Sequence, residues 1–307
     1  METLRWQAEL ANRYDIYGMC FYHYWFKDGK MLLQKPAELW LANKDRPMRI
    51  CFSWANEPWA RTWDGRNKDV LMPQEYGGEE DWRKHFEYLL PFFQDERFIK
   101  VDGRPMFLLY RAVNITRCKE MMEFWESLAQ KAGLPGMHFV STLSEESPDD
   151  PRLKDMPFRA FNEFEPYRSI HHSPKTFWQK ARVKLMPTIN KLCGTHLLLR
   201  KPYPFSYIAR LSLDRKSVEG TYGGIFCAWD NSPRKTLACT IVETPTRDEL
   251  TQYVEAKVRQ TLDEYKTDFV FVNAWNEWAE GTYLEPDTDN KYMYLECLQS
   301  VIKHYQQ

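Results

Sequence analysis

Apolar positions along the chain follow two spacings in turn. Residues 2–14 place Leu4, Ala8, Leu10 and Ala11 on one side at helical spacing. Ile16–Phe21 then reads as a buried strand. The same exchange recurs along the chain. Further strands are predicted at Met48–Trp54, Pro105–Tyr110, Met137–Leu143, Phe158–Phe164, Gly223–Trp229 and Asp268–Ala274. Between them lie predicted helices at Pro36–Asn43, Glu79–Phe93, Lys119–Ala132, 205–213, Asp248–Tyr265 and Lys291–Tyr305. The 79–93 helix sets Trp82, Phe86, Leu89, Leu90 and Phe93 on one face. Asp102-Gly103 marks a turn. Strands separated by helices predict a parallel sheet of βα units.

Polar and aromatic residues gather just after the strands, the catalytic face of a (β/α)8 barrel. Doubly wound sheets share that property. The dipeptides Gly77-Gly78 and Gly223-Gly224 do not make a phosphate-binding glycine loop. Residues 166–220 are too long for one connection. They read as a basic insertion beside the active-site face, with helical stretches near 174–186 and 205–213. The chain reads as one domain over residues 1–307 that contains this insertion.

The chemistry concentrates in residues 270–287. Glu277 and Glu280 follow the last strand, three residues apart, among Trp275, Trp278 and Tyr283. On a sugar, one carboxyl donates a proton to the leaving oxygen and the other acts as base or nucleophile. Aromatic faces pack on pyranose C–H groups and exclude water, which raises a carboxyl pKa. In a helical turn an i,i+3 pair shares one face, with Cβ atoms about 5–6 Å apart. Asn56-Glu57 and Asn162-Glu163 repeat the Asn-Glu pattern of Asn276-Glu277. Glu57 therefore stands either as a partner of Glu277 in a two-strand acid/base pair or as a substrate hydrogen-bonding residue. Tyr22, His23, Tyr24 and Trp25 directly follow the first strand, and alternation sends half of them inward. Trp54, Trp59 and Trp63 are either sugar platforms or loop core. Trp229, Asp230 and Arg234 either contact substrate or make a local Asp–Arg pair. Glu285 either positions Glu280 or caps the last helix. His171-His172 reads as a solvated loop.

Composition narrows the function classes. Among 307 residues, 42 are Lys or Arg and 43 Asp or Glu, a net charge of −1, so no basic excess points to nucleic acid. Seven cysteines, an odd number with no CxxC pair, fit buried free thiols in a reducing compartment. No signal-peptide apolar region opens the chain, and no apolar run has membrane-spanning length. The expectation is a cytoplasmic protein without an integral membrane segment. No ligand set with metal spacing includes His23. Asp149-Asp150 lies in a Pro-rich loop and does not read as a transferase Asp-X-Asp motif.

Six segments together, in order, resemble one known family: Phe21-Tyr-His-Tyr-Trp-Phe26, Trp54-Ala-Asn-Glu-Pro-Trp59, Trp63-Asp-Gly65, Val101-Asp-Gly-Arg-Pro105, Trp229-Asp-Asn231 and Asn273-Ala-Trp-Asn-Glu-Trp-Ala-Glu-Gly281. They are similar to WbsX-type proteins with a glycoside hydrolase family 99-like domain. The resemblance implies a (β/α)8 TIM-like barrel acting on glycans. It also implies that the chain lacks the family's usual first strand and its Phe-Thr-Glu-Trp-like loop. In family 99 hydrolases the two glutamates of a Glu-Trp-X-Glu motif cleave α-mannosides with retention. The motif matches Glu277 and Glu280, with Ala279 where characterised hydrolases tend to have His. By that resemblance Glu277 assists attack by the sugar's 2-hydroxyl, and Glu280 is acid, then base. The expectation is a metal-independent enzyme without cofactor, acting on an oligosaccharide or polysaccharide, with Tyr22, His23, Tyr24, Trp25, Trp54, Asn56, Glu57, Trp59, Trp229, Asp230, Asn276, Trp278 and Glu285 as candidate substrate-binding residues. The group is often described as glycosyltransferase, so a transferase in lipopolysaccharide, O-antigen or capsule assembly is the alternative. A non-catalytic glycan-binding module is the second.

Overall fold

The computed structural model describes residues 2–45, 48–61, 66–174, 185, 188–189, 192–193, 202–216, 218–235 and 239–305. Two compact units emerge, one from Met1–Ala60 and Val70–Asn162, the other from Arg61–Asp69 and Glu163–Gln307.

The first unit strings together helix α1 (Glu2–Arg13), strand β1 (Gly18–Trp25), α2 (Lys35–Ala42), β2 (Arg49–Trp54), α3 (Glu79–Gln94), β3 (Arg104–Leu109), α4 (Cys118–Lys131), β4 (His138–Leu143) and all but the last residue of β5 (Ala160–Glu163). β1 pairs in parallel with β2, β2 with β3, and β3 with β4; β5 follows β4 in the sheet order. β2, β3 and β4 are almost continuously buried, which is why they read as unbroken apolar runs and not as alternating ones. Trp82, Phe86, Leu89 and Phe93 of α3 and Met121, Met122 and Trp125 of α4 are buried. Trp125 lies edge-on or tilted to Phe86, Phe107 and Phe139 and is fully buried, and each such side chain contributes roughly 1.5–3 kcal/mol.

The second unit contains α5 (Tyr167–His172), α6 (Phe205–Leu213), β6 (Thr221–Phe226), α7 (Arg247–Asp263), β7 (Val270–Asn273) and α8 (Met293–Tyr305). β6 and β7 pair in parallel. Helix α7 starts at a reciprocal cap, with Thr246 accepting from the Glu249 backbone and Glu249 from that of Thr246.

Each predicted strand has a counterpart, and the boundaries carry the corrections. β1 runs to Trp25, so Tyr22, His23, Tyr24 and Trp25 lie inside the strand and do not follow it. The run expected at Gly223–Trp229 stops at Phe226. Trp229–Asp230 instead forms a separate antiparallel pair with Ile241–Val242. His171 and His172 end helix α5 and are not loop residues. Cys20 and Cys193 are exposed, against the expectation of buried thiols. Trp63-Asp-Gly65 lies outside the described residues, as does most of the predicted 174–186 helix. No helix among the described residues is long and apolar enough to cross a membrane.

Candidate active site

Glu277 and Glu280 are presented by a tight loop after β7. Asn276–Glu277 pairs antiparallel with Thr282–Tyr283, and Trp278–Glu280 between them forms one 3₁₀ turn. Gly281 closes the turn at φ +60°, and a Cβ there would stand 2.8 Å from the Asp230 nitrogen. Only glycine combines that backbone conformation with so close an approach. Thr282, fully buried, donates to the Asn273 carbonyl at 2.5 Å and ties the loop back to β7.

One guanidinium is within ion-pair distance of both carboxylates. Arg234 Nη1 donates to Glu280 Oε1 at 2.9 Å and lies 4.0 Å from Glu277 Oε1. The two oxygens are therefore within the sum of those distances, about 7 Å, of each other. Their environments differ. The Glu280 side chain is 18% exposed and that of Glu277 39%. Burial pushes the Glu280 carboxyl above its usual range and the Glu277 charge adds to that, while Arg234 and Lys235 oppose it.

Glu285 accepts from the indoles of Trp275 (3.1 Å) and Trp278 (2.9 Å). These two bonds tie both indoles of the loop to one carboxylate. Trp278 is exposed and stacks on Tyr283 at 3.9 Å and 15°, and the Tyr283 hydroxyl donates to Asp287. This doublet presents a flat aromatic face beside the carboxylates. Asn276 is exposed, and Trp229 is buried. Asp230 accepts from the Ser232 backbone, and Arg234 pairs with Glu280 and Glu277 in place of the expected local pair with Asp230.

In the first unit the predicted residues separate into two groups. His23, Trp25, Trp54 and Asn56 are interior. His23 Nε2 meets His85 Nε2 at 2.8 Å, Trp25 stacks on His85, and Trp54 donates to the Trp25 carbonyl. The Asn56 amide both donates to the Arg111 carbonyl and accepts from its nitrogen, fastening the ends of β2 and β3. Tyr22 is exposed, while Tyr24 and Trp59 are half-buried and meet edge to face. Glu57 lies 3.3 Å from Arg111, which also faces Glu145 at 3.6 Å. Arg111 went unnoticed in the sequence, although its place directly after a strand was a signal.

Glu163, the other Asn-Glu candidate, is buried in the second unit's core. It bonds to Lys257 at 3.1 Å, Arg215 at 2.6 Å and the Tyr265 hydroxyl at 3.1 Å. Burial alone would raise its carboxyl, but Lys257 and Arg215 outweigh that and hold it low. Arg215 reaches Glu165 as well, and Asn273 at the end of β7 donates to the Glu165 carbonyl. Nothing local in the sequence separated this glutamate from Glu277.

The sequence profile of the family described as Glycosyltransferase WbsX matches residues 1–298. The chain belongs to the WbsX family. By that description the family is one of carbohydrate-active enzymes. Two curated relatives, both named Uncharacterized protein WxcX and both from Xanthomonas campestris pv. campestris, are 32% and 31% identical over 306 residues, 98% of this chain. The chain spans 41% of the length of those relatives. Among solved structures, a GH99 endo-alpha-mannosidase from Bacteroides thetaiotaomicron superposes with a TM-score of 0.53 at 13% identity, covering 99% of this chain and 80% of that one. A glycoside hydrolase-like protein superposes at 0.60, also 13% identical, covering 98% and 85%. The WbsX chain thus has a mixed α/β fold like that of GH99 proteins.

Proposed function

We propose that this WbsX-family chain breaks an α-mannose-like glycosidic bond in a complex glycan, with Glu280 as general acid/base and Glu277 as the base on the sugar's 2-hydroxyl. The observation that carries this is the asymmetry of two carboxylates sharing Arg234. Glu280 is the more buried and its proton affinity is raised, which suits a proton donor. Glu277, more exposed, suits the base. Their oxygens lie within about 7 Å, compatible with work on one glycosidic bond.

In the first step Glu277 takes the 2-hydroxyl proton as O2 attacks C1, and Glu280 protonates the departing oxygen. In the second, Glu280 takes a proton from water as its oxygen attacks C1. The C1–O2 bond breaks and Glu277 returns its proton to O2. Two displacements at C1 retain configuration. The stacked Trp278–Tyr283 pair supplies a face for the sugar, and Glu285 fixes Trp278. A closed barrel architecture is part of the same proposal.

The family's description favours a second reading, in which an acceptor sugar hydroxyl replaces water in the second step. Product analysis separates them. Incubate the protein with aryl α-mannosides and α-linked oligosaccharides, with and without acceptor sugars, beside Glu280→Gln. Free reducing sugar means hydrolysis and lengthened acceptor means transfer. Either should fall by ~10²–10⁴ in the variant. Turnover unaffected by Glu280→Gln would overturn the assignment.

A further inference from the structure

A hollow of about 180 Å³ opens in the second unit, against the segment that carries Arg234. One wall comes from α5, where Tyr167 and His171 are four residues apart and so share a face. Their rings stack at 6.1 Å and 24°. The facing wall is Trp229, Asn231, Lys235 and Thr240. Asn231 Oδ1 already accepts from the Thr240 nitrogen at 2.7 Å, so what its amide has left to offer is donation. Lys235 is exposed at the end of the short helix Ser232–Lys235. Among the described residues, no carboxylate lines the hollow.

The hollow adjoins the candidate active site through one short stretch of chain. Arg234, next to Lys235, bonds to Glu280, and the charge of Lys235 also acts on Glu280. The Gly281 backbone lies against Asp230, next to Trp229.

We propose that this hollow is a subsite for a sugar residue bearing an anionic substituent, either a carboxylate or a phosphate, in the glycan processed at Glu277 and Glu280. The aromatic walls suit the C–H faces of a pyranose. Lys235, His171 and the Asn231 amide supply donors, and a charged acceptor rewards donation more than a neutral hydroxyl does. Among the described residues, no carboxylate lines the hollow to meet an anion directly. The inference rests on the catalytic assignment only in calling the hollow a subsite of that glycan.

The test is calorimetric binding, measured without turnover. Wild type, Lys235→Ala and His171→Ala are titrated with mannose, mannuronic acid, mannose 6-phosphate and inorganic phosphate. At least one charged sugar should bind ~10-fold tighter than mannose, and Lys235→Ala should abolish that preference. The better of the two charged sugars identifies the substituent. Inorganic phosphate should bind more weakly than the sugar phosphate, because the aromatic walls then contribute nothing. Lys235 is exposed, so an unchanged melting temperature is expected for its variant. Equal binding of mannose and both charged sugars, or a preference surviving both variants, would overturn the proposal. Charge-selective binding with no turnover of any glycan would sink the catalytic reading and leave this one standing. Turnover of neutral glycans with no charge preference would do the reverse.

Discussion

Arg234 holds Glu280 at 2.9 Å while standing 4.0 Å from Glu277, so one cation faces both candidate catalytic groups. The ion pair favours the ionised form of Glu280, whereas burial favours the neutral form. A general acid has to be protonated, so Arg234 limits the pH range in which Glu280 serves.

Replacing Arg234 by Gln removes the charge that opposes burial, and the Glu280 pKa rises further. The alkaline limb of the pH–rate profile for kcat/KM should move to higher pH. A limb that stays in place, or moves to lower pH, would show that Arg234 does not act on the titrating group.

Glu163 and Lys257 are a buried pair, 1% and 0% exposed. Lys257→Met leaves Glu163 less compensated in the core, with Arg215 still at 2.6 Å. Loss of one partner from such a pair costs about 3–5 kcal/mol. Urea unfolding should register most of that. A cost below ~1 kcal/mol would mean that the pair contributes little to the second unit.

His23 and His85 set a pH dependence of stability. Burial holds His23 down at about 3 and His85 well below its usual value, with the His23 charge adding to the latter. Both rings are neutral in the fold, so below about 6.5 the unfolded chain binds more protons than the folded one. Their contribution is complete above that pH and is lost as pH falls toward about 3. Between pH 6.5 and 4.5, before most carboxylates titrate, the urea midpoint should fall, and His85→Gln should flatten the slope. A midpoint constant over that window would contradict the burial of these rings.

Gly281→Ala forces a Cβ against the Asp230 backbone at a positive φ. The loop has to shift, displacing Glu280 relative to Arg234. A misplacement of about 1 Å can cost on the order of 10²-fold in rate. Turnover should drop far more than the melting temperature. Normal turnover would mean that the loop accommodates the methyl group without moving the carboxylates.

Glu285→Gln retains an acceptor for one indole but loses the charge that binds two. Trp278 should become more mobile, seen as a red-shifted and more easily quenched tryptophan emission. KM for glycan should rise more than kcat falls. An unchanged KM would remove Trp278 from substrate binding.

The sequence by itself determined the order of elements. Strands buried on both faces must be nearly all apolar, so β2 to β6 stood out as runs, and the helices packed on them carried a 3.6-residue spacing. It also placed two carboxylates three residues apart after the last strand, and the structure set them on one tight turn. It did not determine which Asn-Glu dipeptide is buried. Glu163 and Glu277 look alike locally, and what separates them is Lys257, 94 residues from Glu163. Likewise Arg234 meets Glu280 across 46 residues, and His23 meets His85 across 62. Local spacing governs backbone hydrogen bonding and so is legible in sequence. Charge partners and burial depend on which distant segments the fold brings together, and only the tertiary structure decided those.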